Sequence, residues 1–360
     1  MNNETINISA LCNEIKMKCP NMELPKIKDK EQTIYLNEWQ KEEIINTIIF
    51  LYNDQNKIAQ DALANLINKQ NNGALYELLL YSYLKENSIA FKPQVLVENC
   101  NCLKNKCDYY ADGVLMRSSI YFDVKSFGMS EAAINKLREK IHEKMPDYLI
   151  TIDGNLDAST KNIEKFALRK IDDIINSLKP SRHDNEKLTY YIKEIGLTIC
   201  ATPTKHKRAS SISEFHPYKW AEENEFYFIS HASQFCTNNP YIIFCPFDNK
   251  STDVFCGKLC DNDIAFRALT RRIFMKLNHC TDSLDKYDHK ARPNIKVCEA
   301  VRKLSAIVFI DVTQKHDYKN AAYTWAYINP NAEHKLSRRK IQQEFSYNGL
   351  YIDDFLYDTY

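Results

Sequence analysis

The chain has 360 residues, of which 44% are hydrophobic and 26% are charged, and its formal net charge is +1. This composition is typical of a globular protein with a sizeable core, and it excludes a strongly basic protein that would hold nucleic acid or a membrane by overall charge. No apolar run approaches the length of a transmembrane helix, so we expect no membrane partner. The first residues lack the pattern of a secretory signal, and the 12 cysteines are then expected to be reduced thiols in the cytoplasm.

The N-terminal part of the chain is predicted to be largely helical. Residues 1–34 are mixed and polar, contain two prolines, and predict a loosely packed arm. Across residues 36–70 the apolar side chains recur at helical intervals, with a break near residue 54 that predicts two helices. A further helix is predicted from Ala74 to Glu86. It is apolar over most of its circumference, so Glu77 stands out as an acid within an apolar turn.

The residues with the clearest chemistry lie on two predicted strands of a hairpin. After an edge strand predicted at Ile89–Val97, the first of the two strands opens on Asp108, and the second runs over residues 120–125. Asp123 and Lys125 are two residues apart, so on a strand their side chains point to the same face. In a hairpin the start of the first strand lies beside the end of the second, which would bring Asp108 next to Asp123 and Lys125.

Asp112 is the alternative to Asp108 as the acid that the first strand contributes. The two residues share strand parity, because they are four positions apart. Asp112 directly precedes Gly113, however, and an Asp-Gly pair is a turn signal. We therefore favour Asp108, while the register of the hairpin, which decides between the two acids, stays open at this stage.

The rest of the chain predicts further alternation of helices and strands. A helix at residues 130–144, a strand at 148–153 and a helix at 160–178 precede a predicted linker at 179–187. Beyond the linker, strands are predicted at residues 188–201, 226–229, 241–245, 306–312 and 325–328, and helices at residues 263–277 and 295–304.

These elements suggest three domains. An N-terminal arm with helices would occupy residues 1–70, a compact α/β core residues 71–180, and an accessory α+β domain residues 181–360.

A cluster of cysteines precedes the hairpin. Cys100, Cys102 and Cys107 are close enough in sequence to share a zinc ion, but their spacing departs from the usual paired knuckles and no fourth ligand is near. Unliganded thiols are the favoured interpretation, and zinc binding is the alternative.

A helix bearing Glu77, a strand opening on Asp108 and a strand closing on Asp123-x-Lys125 resemble the PD-(D/E)xK nuclease superfamily. The resemblance covers residues 70–155. It implies a restriction-endonuclease-like α/β fold, in which a mixed sheet is flanked by helices in the order helix, three strands, helix, strand. The expected fold is this core with an N-terminal helical segment and a C-terminal α+β extension.

The resemblance also implies metal-dependent hydrolysis of phosphodiester bonds. Asp108, Asp123, Glu77 and the main-chain carbonyl of Val124 would bind Mg²⁺, with Mn²⁺ as a substitute, because hard oxygen ligands suit these ions. Lys125 would orient or help to deprotonate the attacking water and stabilise the developing negative charge. The expected products are a 5′-phosphate and a 3′-hydroxyl.

The function implied by the resemblance is that of a DNA endonuclease of the restriction or phage-defence type. A homodimer is expected, because cutting two strands usually needs two active sites. Residues 181–360 would supply target recognition, and phosphate contacts would come from basic clusters: Lys136 with Lys140, and residues 205–208, 267–272 and 338–340. Two alternatives stay open, a non-catalytic nucleic-acid-binding or interaction protein on the same fold and an unrelated zinc-binding protein. The preference for DNA over RNA is also open.

Overall fold

The computed structural model shows a mixed α/β fold that divides into two units. It describes residues 4–27, 33–68, 72–97, 109–126, 131–154, 163, 165–178, 188–203, 216–235, 238–248, 251, 260–288, 290–313, 324–345, 350–356 and 358. The first unit comprises residues 1–126, 216–248 and 260–360, and the second comprises residues 127–215 and 249–259. Within the described ranges, no helix is both long and apolar enough to cross a membrane.

The helices and strands are numbered in chain order. The helices are α1 (Ile8–Lys18), α2 (Glu38–Asp54), α3 (Asn56–Asn68), α4 (Asn72–Glu86), α5 (Glu131–Lys144), α6 (Ile171–Ser177), α7 (Pro217–Asn224), α8 (Asn262–Arg271), α9 (Val297–Lys303) and α10 (Arg338–Glu344). The strands are β1 (Glu4–Asn7), β2 (Thr33–Leu36), β3 (Phe91–Val97), β4 (Tyr109–Leu115), β5 (Ile120–Val124), β6 (Tyr148–Gly154), β7 (Leu188–Ile192), β8 (Leu197–Pro203), β9 (Tyr241–Phe247), β10 (Leu304–Asp311), β11 (Thr324–Ile328) and β12 (Leu350–Asp353).

A seven-stranded mixed sheet forms the centre of the first unit, with the strand order β12-β11-β10-β9-β5-β4-β3. Strands β3, β4 and β5 are antiparallel neighbours, and β9 then joins β5 and β10 in parallel. The sheet is completed by β11, antiparallel to β10, and by β12, parallel to β11. Strands from both halves of the chain therefore build one sheet, in which β9 is central, β5 lies next to it and β3 lies at an edge.

The middle of this sheet is covered on both faces. Every side chain of β9 is buried, and so is every side chain of β10 except the last. Near-continuous apolar strands of this kind are typical of parallel strands that are packed on both sides. Helix α4 contacts β5 and β9 and also α2 and α3, and its largest buried side chains are Tyr76, Tyr81 and Tyr83. A helix that is apolar around its circumference is expected to be enclosed in this way.

The second unit has its own sheet and its own core. Strands β6, β8 and β7 form a three-stranded antiparallel sheet, in which β6 pairs with β8 from Tyr148↔Pro203 to Gly154↔Leu197. The core of this unit includes Ile134, Leu137, Ile141, Ile150, Ile152, Ile174 and Ile199. The predicted domain boundaries at residues 70 and 180 do not coincide with this division, because the strands on both sides of residue 180 pair with each other, and the helices before residue 70 pack in the unit of β3–β5.

Most local predictions that fall on described residues are confirmed, and a few are wrong. The helix break near residue 54 appears between α2 and α3, and the two predicted hairpin strands appear as β4 and β5. The predicted loose arm instead contains α1, whose side chains Ile8, Leu11 and Ile15 are buried. The predicted strand at residues 226–229 is a turn that leads into a 3₁₀ helix. The apolar residues of this segment pack into the core from a tight turn. Sequence periodicity alone does not distinguish such a turn from a short strand.

Gly113 is required by packing within the sheet. A β-carbon at this position would lie 2.4 Å from the Phe122 ring and 2.8 Å from the Lys92 main-chain oxygen. Gly113 pairs with Phe122 across β4 and β5, so the ring of Phe122 lies against bare backbone. The glycine of the Asp112-Gly113 pair therefore marks the close packing of the Phe122 ring against the backbone of β4.

We expect Gly113→Ala to destabilise the protein by about 1–3 kcal/mol, because the added methyl group overpacks a buried site next to rigid backbone. Urea unfolding followed by circular dichroism measures this change. Shortening the ring in Gly113→Ala/Phe122→Leu relieves the closest contact and should recover part of the loss relative to the sum of the single changes. Wild-type stability in Gly113→Ala would contradict the packing role.

Candidate active site

Asp112 and Asp123 meet where regular pairing between β4 and β5 ends. The strands pair at Gly113↔Phe122, and one further step along this register places Asp112 opposite Asp123. Here the side chains accept the hydrogen bonds. Asp112 Oδ2 accepts from the main-chain N–H of Val124 at 2.7 Å, and Asp123 Oδ1 accepts from the main-chain N–H of Asp112 at 3.3 Å. The two acids thus hold the ends of the two strands together in place of backbone carbonyls.

Asp123 is buried and accepts a hydrogen bond from a tyrosine hydroxyl. The residue is only 1% exposed. The hydroxyl of Tyr109, at the start of β4, lies 2.8 Å from Asp123 Oδ1 and 2.9 Å from Oδ2, so it shares its proton between both oxygens. The contact of one hydroxyl with both oxygens fixes the plane of this carboxyl group.

Glu77 reaches the same junction from helix α4. Its Oε1 accepts from the Gln94 amide at 2.6 Å and from the Tyr81 hydroxyl at 2.6 Å. The Tyr81 hydroxyl also lies 2.6 Å from the main-chain oxygen of Asp112, so α4 is tied directly to β4 beside the acid.

Gln94 lies on the edge strand β3 and has a strained backbone conformation. Its φ of 48° lies in the left-handed region, which residues other than glycine rarely adopt. It stands between the pairs Pro93↔Gly113 and Val95↔Ala111, where the pairing of β3 with β4 skips one residue. Strain of this kind is often found at functional sites, and here it accompanies the contact of Gln94 with Glu77.

The three carboxyl groups influence one another strongly. Burial raises the pKa of Asp112 well above its usual value, and the charges of Glu77 and Asp123 raise it further, against the Val124 N–H and the Lys125 ammonium. Burial also raises the pKa of Glu77, against the hydrogen bonds from Tyr81 and Gln94. Both residues retain some solvent exposure as a whole, but their carboxyl groups are enclosed. These raised pKa values favour the protonated forms of Asp112 and Glu77.

Tyr241 is a site residue that the sequence did not indicate. It begins β9, beside Tyr121 of β5, and its side chain is fully buried. Burial raises its pKa first, and the charge of the nearby Asp123 and its proximity to Tyr109 raise it further. Its hydroxyl interacts with the Asp123 carboxyl group and with the Tyr109 hydroxyl. Tyr241 is brought to the site by the pairing of β9 with β5, although Tyr241 lies 117 positions after Val124, the last residue of β5. No local sequence signal indicates that pairing.

The donor chemistry of this cluster fits a hard divalent cation. Carboxylate oxygens are the preferred ligands of Mg²⁺, which usually binds one or two carboxylates together with water and a substrate phosphate. In the part of the chain that the structure describes, no group of three or more acid, cysteine or histidine side chains is arranged to share one ion. Two carboxylates, such as those of Asp112 and Asp123, are within the number that a protein usually contributes to a bound Mg²⁺ ion.

The structure brings together some of the predicted site residues. Glu77, Asp123 and Lys125 lie around the end of β5, where Lys125 is partly exposed and its charge acts on Asp112. The turn assignment of Asp112 is wrong, since this residue lies within β4 and faces Asp123. Asp108 lies outside the described residues. Val124, predicted to contribute its carbonyl, donates its N–H to Asp112.

Other predicted ligands and contacts also differ from expectation or fall outside the described residues. Cys100, Cys102, Cys107 and the basic loop 205–208 are outside them. Most arginines of the clusters at residues 267–272 and 338–340 bind acids of the chain itself. Arg267 bonds Asp353 and Asp358, Arg271 bonds Asp358, Arg272 bonds Glu225, and Arg338 bonds Asp354, at distances of 2.5–2.9 Å. Lys136 and Lys140 are exposed on α5 in the second unit.

Comparison of the chain with models of protein families, with curated proteins and with solved structures found no match in any of the three. The inference about function therefore rests on the geometry and chemistry of the site.

The raised pKa of Asp112 predicts how stability depends on pH in the presence of a chelator. The folded protein retains a proton that the unfolded chain loses near pH 4, so this contribution to stability is complete below pH 4 and is lost as pH rises through the folded pKa. Asp112→Asn keeps an oxygen for the Val124 N–H but cannot ionise. We expect its free energy of unfolding, relative to wild type, to rise with pH by at most about 1.4 kcal/mol per pH unit.

Urea unfolding of both proteins in EDTA between pH 4 and pH 8.5 measures this difference. Parallel stability profiles would show that Asp112 titrates alike in the folded and unfolded states, and would contradict the electrostatic description of the junction. A saturating divalent cation should then stabilise wild type more than Asp112→Asn.

Proposed function

We propose that the protein is a Mg²⁺-dependent phosphodiester hydrolase that cleaves DNA. The observation that carries this proposal is the junction of β4 and β5, where Asp112 and Asp123 face each other, Glu77 adds a third carboxyl group, and Lys125 supplies a cationic side chain. The pKa values of Asp112 and Glu77 are raised, and groups with shifted pKa values are concentrated at functional sites. A divalent cation would offset the negative charge of these acids and would draw a phosphate to the site.

Each residue of the junction has a role in this proposal. Asp112 and Asp123 would hold Mg²⁺, or Mn²⁺ in its place, and Glu77 would hold a metal-bound water or a second ion. The metal would polarise the phosphate and lower the pKa of the attacking water. Lys125, two residues beyond Asp123 at the end of β5, would orient that water and stabilise the negative charge that develops on the phosphate. A 5′-phosphate and a 3′-hydroxyl are the proposed products.

The order of the elements supports a restriction-endonuclease-like core. Helix α4 carries Glu77, the antiparallel strands β3, β4 and β5 follow, and a parallel strand, β9, then lies next to β5. The strand expected at residues 148–153 pairs in the sheet of the second unit, so the proposed core takes its last strand from residues 241–247. In this arrangement residues 127–215 are an insertion in the core, and they replace residues 181–360 as the proposed region for target recognition.

The choice of DNA as substrate, the restriction or phage-defence role and a homodimer remain parts of the proposal. Exposed lysines of α5, including Lys136 and Lys140, are candidates for contacts to the phosphate backbone. The paired arginines near residues 267–272 are less suited to this, because an incoming phosphate would have to displace Asp353, Asp358 or Glu225.

Cleavage of supercoiled plasmid, single-stranded DNA and RNA with Mg²⁺ or Mn²⁺ tests the proposal. We expect nicked and linear DNA from wild type, no product from Asp123→Asn or Asp112→Asn, and a rate at least ~100-fold lower from Lys125→Met. Asp61→Asn, at an exposed position of α3, is the matched control and should cut at the wild-type rate. Asp108→Asn, assayed in parallel, decides which acid of the first strand is required.

Binding of labelled DNA by the same proteins separates the outcomes. Variants that bind but do not cut support the assigned roles. A wild-type protein that binds DNA without cutting it in either metal would contradict the proposal and would support the non-catalytic alternative. The hydrogen bonds from Tyr109 to both oxygens of Asp123 also favour that alternative.

A further inference from the structure

Glu77 is held through one of its two carboxyl oxygens. In the part of the chain that the structure describes, the Tyr81 hydroxyl and the Gln94 amide both donate to Oε1, each at 2.6 Å. The Gln94 amide also interacts with the Tyr81 hydroxyl, which lies 2.6 Å from the main-chain oxygen of Asp112. Two donors that contact each other therefore fix Oε1, and Oε2 is the oxygen that remains for a ligand of the site.

Gln94 lies in the same row of the sheet as the two acids of the junction. The register of β3 with β4 is the same on both sides of Gln94, which places Gln94 opposite Asp112. One further step along the register of β4 with β5 places Asp112 opposite Asp123. Gln94 is nevertheless not a ladder partner of Asp112, because its left-handed backbone interrupts the regular pairing.

The residue type at this position is not the one that suits the backbone best. The φ of 48° is unfavourable for a residue with a β-carbon, whereas glycine adopts it readily and asparagine more easily than most other residues. A position that served only to interrupt the edge strand would be better filled by either of these. Glutamine has a longer side chain than asparagine, and its amide reaches Glu77. The strain thus coincides with a contact that the better-suited residues could not make.

We propose that Gln94 is a positioning residue that acts through Glu77. Its left-handed backbone directs the side-chain amide onto Oε1 of Glu77, which keeps Oε2 in place for a divalent cation, or for a water bound to it, beside Asp112 and Asp123. Tyr81 holds the same oxygen from α4, so the edge strand and the helix fix Glu77 together. The inference rests on the metal-dependent function proposed above, and it gives β3 a part in the site.

Shortening the side chain separates this contact from the backbone strain. Gln94→Asn suits the left-handed backbone better, but its amide is one methylene too short to reach Glu77. We expect Mn²⁺ to bind about 10-fold more weakly and kcat for plasmid cleavage to fall about 10- to 100-fold, with the KM for DNA unchanged. Stability should stay close to that of wild type, since relief of strain offsets the lost hydrogen bond. Gln94→Gly should lose the same affinity for Mn²⁺.

Titration of the full-length protein with Mn²⁺, followed by calorimetry and by the paramagnetic resonance of free Mn²⁺, measures the affinity, and urea unfolding in EDTA measures stability. Ser119→Asn is the matched control. Ser119 is exposed in the turn between β4 and β5, at the other end of the hairpin from the junction, and its φ is 53°. This change relieves the same kind of strain, so it should raise stability and leave Mn²⁺ affinity and kcat unchanged.

A double-mutant cycle tests whether Gln94 acts through Glu77. In the Glu77→Gln background the side chain that Gln94 holds is no longer charged, so Gln94→Asn should cause no further loss of Mn²⁺ affinity. Equal losses in both backgrounds would overturn the positioning role, and so would unchanged Mn²⁺ affinity and kcat in both Gln94 variants, while the proposed function stood.

Two results from wild type distinguish the inference from the proposed function. A wild-type protein that binds Mn²⁺ but does not cut DNA would overturn the hydrolase alone, provided that Gln94→Asn still lowers the affinity. A wild-type protein that neither binds Mn²⁺ nor cuts DNA would overturn both.

Discussion

The exchange of hydrogen bonds between Asp112 and Asp123 determines the character of this site. In a regular antiparallel pair, main-chain carbonyls accept from main-chain N–H groups across the strands. At the end of the β4–β5 pairing, the carboxylates accept instead, from Val124 and from Asp112. The pairing of β4 with β5 can therefore end here with the N–H groups of Val124 and Asp112 satisfied, although two acids are drawn close together as a consequence. Every other feature of the site, from the donors around Glu77 to the tyrosines around Asp123, responds to that concentration of negative charge.

The surrounding hydrogen bonds hold the acids in place but neutralise little of their charge. Tyr81, Gln94 and Tyr109 are neutral donors, and Lys125 is the cationic group whose charge is felt at Asp112. Neutral donors can fix the direction of a carboxylate, but mutual repulsion at short range needs positive charge to offset it. The site thus combines well-defined carboxylate positions with raised pKa values at Asp112 and Glu77. A permanently satisfied structural ion pair would have the opposite properties.

Local structure was predictable from the sequence, but the partners across the sheet were not. Helix α4 and strands β4 and β5 follow from periodicity and from β-branched and aromatic composition, and Glu77, Asp123 and Lys125 could be selected as candidates from those elements. The choice between Asp108 and Asp112 depended on the register. The glycine after Asp112 suggested a turn, whereas the structure uses it to seat the Phe122 ring. One glycine can serve either purpose, and only the neighbouring strand distinguishes them.

Long-range pairing explains the remaining differences. Strand β9 lies next to β5 although residues 127–215, the larger part of the second unit, separate them in the chain, so Tyr241 reaches Asp123 without any local signal. The basic residues of α8 likewise appear as a phosphate-binding cluster in sequence, yet Asp353 and Asp358 near the C-terminus pair with Arg267. A charge is available to a substrate only when the fold leaves it unpaired. By this criterion the acids at the end of β5, near which Lys125 is the cation that acts on Asp112 in the described part of the chain, are a stronger indication of function than the arginines, which are paired with acids.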